Sequence, residues 1–232
     1  MNIPSEINNR LELWVNLLDQ YKPRKFAEVG VWKGEFAETI LKECPYIEEY
    51  TMIDPWAHLP DWNKPFNKST KDFTSIYEEA MERTKFASDR VTVLRGRTKD
   101  VIHEIKDQSL DFVYIDGDHT LRGIAIDLIQ LYPKVKKEGI VAGDDFSISP
   151  WQHSGDYEPS LVCPFAVYFA EAMQHPITVM PFSQFLIEKK EPEFAFNDTT
   201  GKYHDLGLNK LTNSQGGGIL RTAKRMIKKA IK

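Results

Sequence analysis

The chain has 232 residues, of which 41% are hydrophobic and 28% are charged, a composition typical of one folded domain and not of a disordered chain. The formal net charge of -4 argues against nucleic acid as a partner, and two cysteines are too few for a disulfide framework. With no apolar run of membrane-spanning length and no secretory pattern in the first residues, we expect a cytoplasmic protein.

The first regular pattern in the chain is a helix over residues 6–20. Apolar residues recur there at helical spacing, which predicts an amphipathic helix with one buried face. We expect this helix to cover the edge of a sheet. The apolar positions are Leu11, Leu13, Trp14, Leu17 and Leu18.

Residues 25–41 predict a buried strand, a glycine turn and a helix in immediate succession. Gly30 would let the backbone bend sharply against a ligand, and Gly34 would let the helix lie close to its strand. Glu28, at the carboxyl end of the strand, would face the ligand crevice of an open α/β sheet. The turn therefore predicts a small-molecule site, and the alternative is a strand-to-helix connection with incidental glycines.

A second short strand, residues 50–54, ends in an acid. Asp54 follows the glycine turn by about 20 residues, the spacing at which an acid on the next strand reaches the hydroxyls of a ribose. The alternative is that Asp54 only caps the turn before Pro55.

The next part of the chain alternates between helices and strands. Residues 57–70 predict an aromatic loop, residues 71–86 a helix, residues 91–96 a third strand and residues 99–106 a short helix. This alternation requires right-handed crossovers and predicts a mostly parallel sheet. Thr98, just past the third strand, is a candidate hydrogen-bonding group for a ligand.

The fourth and fifth strands carry acids at their ends. An apolar run over residues 112–115 predicts a central strand and leads directly into Asp116, Asp118 and His119. After a helix over residues 120–133, a fifth strand ends in two further acids, Asp144 and Asp145. Because neighbouring parallel strands end at the same edge of a sheet, we expect these acids to meet at one rim.

Three carboxylates gathered at one rim repel each other unless a positive group lies between them. Oxygen ligands suit a hard ion such as Mg2+, so Asp116, Asp144 and Asp145 are the candidate metal ligands. Asp118 is instead a candidate helix N-cap. His119 is a candidate general base, since its ordinary pKa lets it accept a proton near neutral pH.

Four motifs in this order resemble those of the class I S-adenosylmethionine-dependent methyltransferases. More narrowly, the chain is similar to the metal-dependent O-methyltransferases that include macrocin-type sugar methyltransferases and, more distantly, catechol methyltransferases. The resemblance covers about residues 22–146 and implies an α/β fold. The expected fold is a Rossmann-like, mostly parallel seven-stranded sheet with an antiparallel final strand and helices on both faces. The motifs are residues 26–30 with Gly34, residues 53–54, residues 114–120 and residues 137–145.

The resemblance also implies roles for individual residues toward S-adenosylmethionine. Glu28, Gly30 and Gly34 match the cofactor loop of the family. Asp54 matches its ribose-binding acid, and Thr98 matches the small polar residue near the adenine.

At the rim, the resemblance implies a metal site and a base. Asp116, Asp144 and Asp145 match the metal-binding acids, and Asp116 also lies at the cofactor. His119 matches the base of the macrocin-type members, so His119 and Asp116 are the expected catalytic residues. The implied reaction transfers a methyl group in line to a hydroxyl oxygen held by Mg2+ or another divalent cation. One departure is Asp145, where the catechol branch carries an asparagine.

Beyond residue 146 the pattern is weaker. Residues 147–159 predict a loop beside the rim that is a candidate substrate lid, and residues 161–174 predict a helix. Residues 177–180 and 184–188 predict a hairpin-like pair of strands. Residues 191–218 predict a loosely ordered connection.

These patterns divide the chain into a methyltransferase domain over residues 1–190 and a C-terminal extension over residues 191–232. The last segment, residues 219–232, is basic and contains no acid. It predicts an amphipathic helix that either contacts an anionic membrane surface or a partner, or packs on its own domain or on a second copy in a homo-oligomer.

Two other classes of function remain open from the sequence. A nucleotide-sugar oxidoreductase would also use a glycine turn and a ribose-binding acid, but its fingerprint needs a middle glycine that residues 29–34 lack. A non-catalytic or metal-independent S-adenosylmethionine-binding protein would not need the acidic rim. We therefore expect an enzyme with a small-molecule hydroxyl acceptor, first a sugar and second a catechol-like phenol.

Overall fold

One twisted sheet forms the centre of the molecule in the computed structural model, which describes residues 3, 6–190 and 193–203. Within these residues the sheet has eight strands in the order β3-β2-β1-β4-β5-β7-β6-β8. The strands are β1 (Lys25–Val29), β2 (Glu49–Asp54), β3 (Val91–Arg95), β4 (Leu110–Ile115), β5 (Val135–Gly143), β6 (Ile177–Met180), β7 (Gln184–Glu188) and β8 (Phe196–Asp198).

The strand directions confirm the expected Rossmann-like sheet. Strands β1 to β5 pair in parallel, and β7 runs antiparallel to both of its neighbours, β5 and β6. The eighth strand was not expected: β8 pairs in parallel with β6 at the edge of the sheet. The described part of the chain therefore has eight strands where the sequence predicts seven.

Six α-helices in the described residues cover both faces of the sheet, as expected. Side chains from the first three pack on one face, and side chains from the last three pack on the other. None of the described helices has the length and hydropathy needed to cross a membrane. The helices are α1 (Arg10–Tyr21), α2 (Glu35–Glu43), α3 (Thr70–Thr84), α4 (Thr98–Val101), α5 (Leu121–Leu131) and α6 (Val162–Ala172).

Alternation along the strands assigns side chains to the two faces. In β1 and β4, Phe26 and Phe112 point to the face of α1 to α3, where their rings stack with centroids 5.1 Å apart. Their neighbours Ala27 and Val113 point to the other face. Both faces are therefore buried, which explains why the central strands read as continuous apolar runs.

Helix α1 begins later than predicted, at Arg10 and not at residue 6. The side chain of Asn9 accepts a hydrogen bond from the backbone N–H of Glu12 (2.9 Å) and caps the helix. Trp14 packs edge-on against the rings of Phe112 and Tyr114. The helix therefore covers the centre of one face, not the edge of the sheet.

The sheet continues past residue 190, at which the sequence analysis ends the domain. Strand β8 lies at residues 196–198, and Tyr203 packs against Phe146 with its hydroxyl on the Phe146 carbonyl. Residues 193–203 thus belong to the sheet and its core, although a loose connection is predicted there. The predicted basic helix over residues 219–232 lies outside the described residues.

Candidate active site

A cavity of about 470 Å³ lies at the carboxyl ends of the strands. Its lining includes one predicted residue from the end of each of the first four strands, Gly30, Asp54, Thr98 and Asp116. The chain leaves β1 toward β2 on one side, whereas β4 lies on the other, so this is the switch point at which open α/β sheets bind ligands.

The two predicted glycines both adopt the left-handed conformation, with φ +85° at Gly30 and φ +79° at Gly34. A Cβ atom on Gly30 would lie 1.9 Å from the backbone oxygen of Asp116, so only glycine fits between the ends of β1 and β4. At Gly34, a Cβ atom would lie 3.0 Å from the Cα atom of Ala80. The closest approach at Gly34 is therefore to α3.

Glu28 is buried in the wall of the cavity. One of its carboxylate oxygens accepts a hydrogen bond from the hydroxyl of Tyr50 (2.7 Å). Burial outweighs this bond and raises the pKa of Glu28 to about 8. The group is thus largely protonated at neutral pH unless a positive charge enters the cavity.

Asp54 fulfils the turn-capping alternative and also lines the cavity. Its two carboxylate oxygens accept backbone hydrogen bonds from Trp32 (3.0 Å) and Trp56 (2.7 Å). Burial raises the pKa of Asp54 to about 6, and the two N–H groups oppose that rise. Because each carboxylate oxygen has a second lone pair, capping leaves acceptor sites for a ligand.

Thr98 is buried at the first position of α4, where its side chain hydrogen-bonds with Asp127. Asp127 lies on α5 and lines the same cavity. Burial raises the pKa of Asp127 to about 7. Asp127 has no signal in the sequence, since an acid inside an amphipathic helix carries no sign of being buried.

At the acidic rim, Arg10 is the unexpected residue. Its Nη1 atom donates to Asp116 Oδ2 (2.8 Å) and also contacts Asp144 Oδ2. The positive group predicted to separate these acids is thus, in this structure, a guanidinium from α1.

Asp144 is held by protein donors on its other oxygen as well. Gln184 Nε2 donates to Asp144 Oδ1 (2.5 Å), and the backbone N–H of Asp145 donates to the same oxygen (2.6 Å). Burial and the neighbouring Asp116 raise the pKa of Asp144 to about 7. The two acids that follow β5 therefore have different partners, and Asp144 is the one that contacts Arg10 and Gln184.

His119 lies between Asp116 and Asp145. Its Nδ1 atom contacts Asp145 Oδ2, and its Nε2 atom lies 3.4 Å from Asp116 Oδ1. Burial opposes protonation, but the two carboxylates outweigh it and raise the pKa of His119 to about 10. With both acids ionised, this arrangement favours the protonated form of His119 near neutral pH.

Asp116, His119 and Asp145 form the cluster with the geometry of a metal site. Each offers one ligand atom, and these atoms lie within 4.8 Å of one another. Asp145 is positioned by Gln152, whose Nε2 atom donates to Asp145 Oδ1 (2.9 Å). The structure thus joins two predicted metal acids with the predicted base, while Asp144 lies outside this cluster.

Asp118 is not the N-cap of α5, contrary to the sequence analysis. The cap is Thr120, whose hydroxyl accepts from the backbone N–H of Gly123 (3.1 Å). Asp118 instead accepts from the indole of Trp62 (2.9 Å) and from the backbone N–H of Thr120 (3.0 Å). It thereby holds the aromatic loop over the cavity.

Two loops meet above this cavity. The buried Lys64 Nζ donates to the carbonyl of Glu158 (2.7 Å) and to the hydroxyl of Ser160 (3.2 Å). This contact ties the aromatic loop to the loop predicted as a substrate lid. In the sequence, the aromatic residues around Trp62 were the only indication that this loop contributes to the site.

A glycine turn at a switch point, a buried acid after β2 and an acidic rim after β4 and β5 define the class I methyltransferase type of α/β fold. Residues 27–146, more than half of the chain, match the model of a family described as a methyltransferase domain. The chain therefore belongs to this methyltransferase family. No curated protein sequence matches the chain.

Solved structures share the fold. Cofactor-bound Rv0187 from Mycobacterium tuberculosis (MTB) has a TM-score of 0.56 at 13% identity, over 82% of this chain and 84% of that one. A methyltransferase from Podospora anserina, bound to S-adenosylhomocysteine, has a TM-score of 0.54 at 15% identity, over 80% of each chain. An O-methyltransferase from Bacillus cereus, also with S-adenosylhomocysteine, has a TM-score of 0.53 at 14% identity, over 80% of this chain and 83% of that one. These similarities confirm the predicted fold class.

Proposed function

We propose that the protein transfers a methyl group from S-adenosylmethionine to a hydroxyl oxygen of a small molecule. The observation that carries this proposal is the cluster of Asp116, His119 and Asp145 beside the cavity of a methyltransferase fold. A protein that only binds the cofactor would not need charged groups collected at that rim. The match to a methyltransferase family argues against the oxidoreductase alternative.

The glycine turn and three side chains would hold the cofactor. Gly30 and Gly34 shape the turn, Asp54 would accept from the ribose hydroxyls, and Thr98 lies where the adenine is expected. The buried Glu28 would face the positive groups of the cofactor, whose sulfonium supplies the methyl group. A site that excludes water and aligns both reactants accounts for much of the acceleration in such a transfer.

A divalent cation fits the cluster of Asp116, His119 and Asp145. His119 Nε2 is buried and makes no hydrogen bond with the described residues, and one carboxylate, that of Asp116, lies 3.4 Å from it. The oxygen donors suit Mg2+, and the imidazole nitrogen extends the choice to Mn2+. A bound ion would lower the pKa of an acceptor hydroxyl and orient it.

A metal-independent reaction is the second candidate, and one observation favours it. Arg10 and His119 already place two positive groups among the three acids. In that case a carboxylate of the rim would accept the hydroxyl proton, and Arg10 and His119 would stabilise the negative charge that develops on the acceptor oxygen.

Calorimetry and an acceptor screen test the proposal. We expect S-adenosylhomocysteine to bind in EDTA, and we expect S-adenosylmethionine to methylate polyhydroxylated sugars or catechols faster in Mg2+ or Mn2+ than in EDTA. Equal rates in EDTA would favour the metal-independent candidate. Cofactor binding without methylation of any hydroxyl acceptor would support a binding protein, and no cofactor binding would overturn the proposal.

A further inference from the structure

Arg10 occupies the position between two carboxylates at which a cation would be expected. One guanidinium nitrogen, Nη1, contacts Oδ2 of both Asp116 and Asp144. These two oxygens therefore converge on a single point. Oxygens converging on one positive centre are also what a divalent cation requires.

Contacts with strand β7 and helix α2 hold helix α1, and with it Arg10, in this position. The indole of Trp14 donates to Gln184 Oε1 (2.6 Å), and Gln184 Nε2 donates to Asp144 (2.5 Å). The Arg10 guanidinium also lies 6.0 Å from the centroid of the Phe36 ring. Helix α1 and strand β7 thus hold the arginine and one of its acids together.

We propose that Arg10 competes with a divalent cation for Asp116, so that helix α1 sets the affinity of the rim for metal. This inference rests on the proposed function, in which Asp116 is a metal ligand. A cation bound to Asp116 must share or displace the guanidinium that holds its Oδ2 atom. Without Arg10, His119 is the remaining cation that contacts Asp116, Asp144 or Asp145 among the described ion pairs.

Binding of Mn2+ to the full-length, metal-free protein tests the competition without any turnover. Free Mn2+ is measured by electron paramagnetic resonance in titrations of wild type, Arg10→Met and Arg24→Met. Arg24 is the matched control, because it is an exposed arginine paired with Glu48. We expect Arg10→Met to bind Mn2+ about tenfold more tightly than wild type, since one nearby positive charge is removed. Arg24→Met should match wild type.

A second variant, Arg10→Gln, loses the positive charge but keeps an amide that can donate hydrogen bonds to the acids. It therefore disturbs the local structure less than Arg10→Met. It should also bind Mn2+ more tightly than wild type. Addition of Asp145→Asn to either Arg10 variant removes another ligand of the proposed metal cluster and should therefore weaken Mn2+ binding. Far-ultraviolet circular dichroism, which needs no bound cofactor, reports whether each variant is folded.

Equal or weaker Mn2+ affinity in a folded Arg10 variant would overturn the competition. So would the absence of Mn2+ binding in every variant. Neither result would affect methyl transfer by wild type, which tests the proposed function separately. Conversely, a wild type that fails to bind S-adenosylhomocysteine would refute the function while leaving the Mn2+ comparison valid.

Discussion

At the scale of single residues, the ionisation of His119 differs most from what its position in the sequence implies. From the sequence, His119 is expected to keep the ordinary histidine pKa of 6.5 and so to be able to accept a proton near neutral pH. The structure places both ring nitrogens against carboxylates, which raise the pKa of His119 to about 10. Any role as a base then requires that the charge of Asp116 or Asp145 be taken up by something else, such as a metal.

The raised pKa makes His119 a pH-dependent source of stability. Because the folded pKa of about 10 exceeds the ordinary value of 6.5, the contribution is full below pH 6.5 and is lost as pH rises to 10. We expect His119→Asn to lower the free energy of unfolding by ~2 kcal/mol at pH 6, after allowance for residual hydration. The difference from wild type should shrink steadily toward pH 10.

Urea unfolding at pH 6, 8 and 10 measures this dependence, with the exposed His103 as the matched control. His103→Asn should follow the wild-type curve at each pH. A loss of stability in His119→Asn that is the same at pH 6 and pH 10 would show that packing, and not the imidazolium, accounts for it.

The sequence patterns indicated residues that line the cavity, but they did not indicate the arginine at the acidic rim. Gly30 and Asp54 were found because a left-handed turn and a strand-end acid each leave a local sequence signal. Arg10 left no such signal, because it lies 106 positions before its partner Asp116 in the chain. Long-range ion pairs of this kind depend on how helices dock, which spacing alone does not reveal.

At the scale of elements, the local patterns predicted the central strands and located their ends well. They failed at β8, because three residues, Phe196–Asp198, are too few to show alternation. The strand forms because its backbone pairs with β6 and because Tyr203, shortly after it, is buried in the core. Tertiary contacts, not local propensity, create this element.

The β8 segment should stabilise the end of β5 through Tyr203. Tyr203 is 9% exposed, and the centroid of its ring lies 5.1 Å from that of Phe146, the residue after Asp145. We expect Tyr203→Ala to lower the free energy of unfolding by ~3 kcal/mol, because a large buried side chain is lost. Tyr203→Phe should cost ~1 kcal/mol, since it removes the hydroxyl and its hydrogen bonds with the Phe146 carbonyl and Ser183 but keeps the ring.

Tyr168, a half-exposed tyrosine on α6, provides the control for these two variants. Tyr168→Ala should change the free energy of unfolding by less than ~0.5 kcal/mol. Equal effects of alanine at both tyrosines, in urea unfolding at one pH, would contradict a role of the β8 segment in the core.

At the scale of the whole molecule, the sheet gathers buried acids from separate elements around one cavity. Glu28 on β1, Asp54 on β2 and Asp127 on α5 all line it. Burial raises their pKa values to about 8, 6 and 7. Near neutral pH Glu28 therefore keeps its proton and Asp127 is about half protonated, which lowers the cost of burying these carboxyl groups.

This arrangement predicts that binding of a cationic cofactor releases protons. A positive ligand favours the carboxylate form, so the pKa values of the three acids fall when it binds. At pH 7 we expect release of about one proton per S-adenosylmethionine, contributed mainly by Glu28. S-adenosylhomocysteine lacks the sulfonium charge and should release less. At pH 9 the acids are already ionised, and release should be small for both.

Calorimetry in buffers with different enthalpies of ionisation gives the number of protons directly, since the apparent binding heat changes with the buffer in proportion to it. Glu28→Gln should lose most of the release at pH 7. Glu35→Gln, a change of an exposed glutamate that lines the same cavity, should keep it. Proton uptake, or a binding heat independent of buffer, would contradict the idea that these buried acids respond to the charge of the cofactor. Release that persists in Glu28→Gln would assign the response to Asp127 and Asp54 instead.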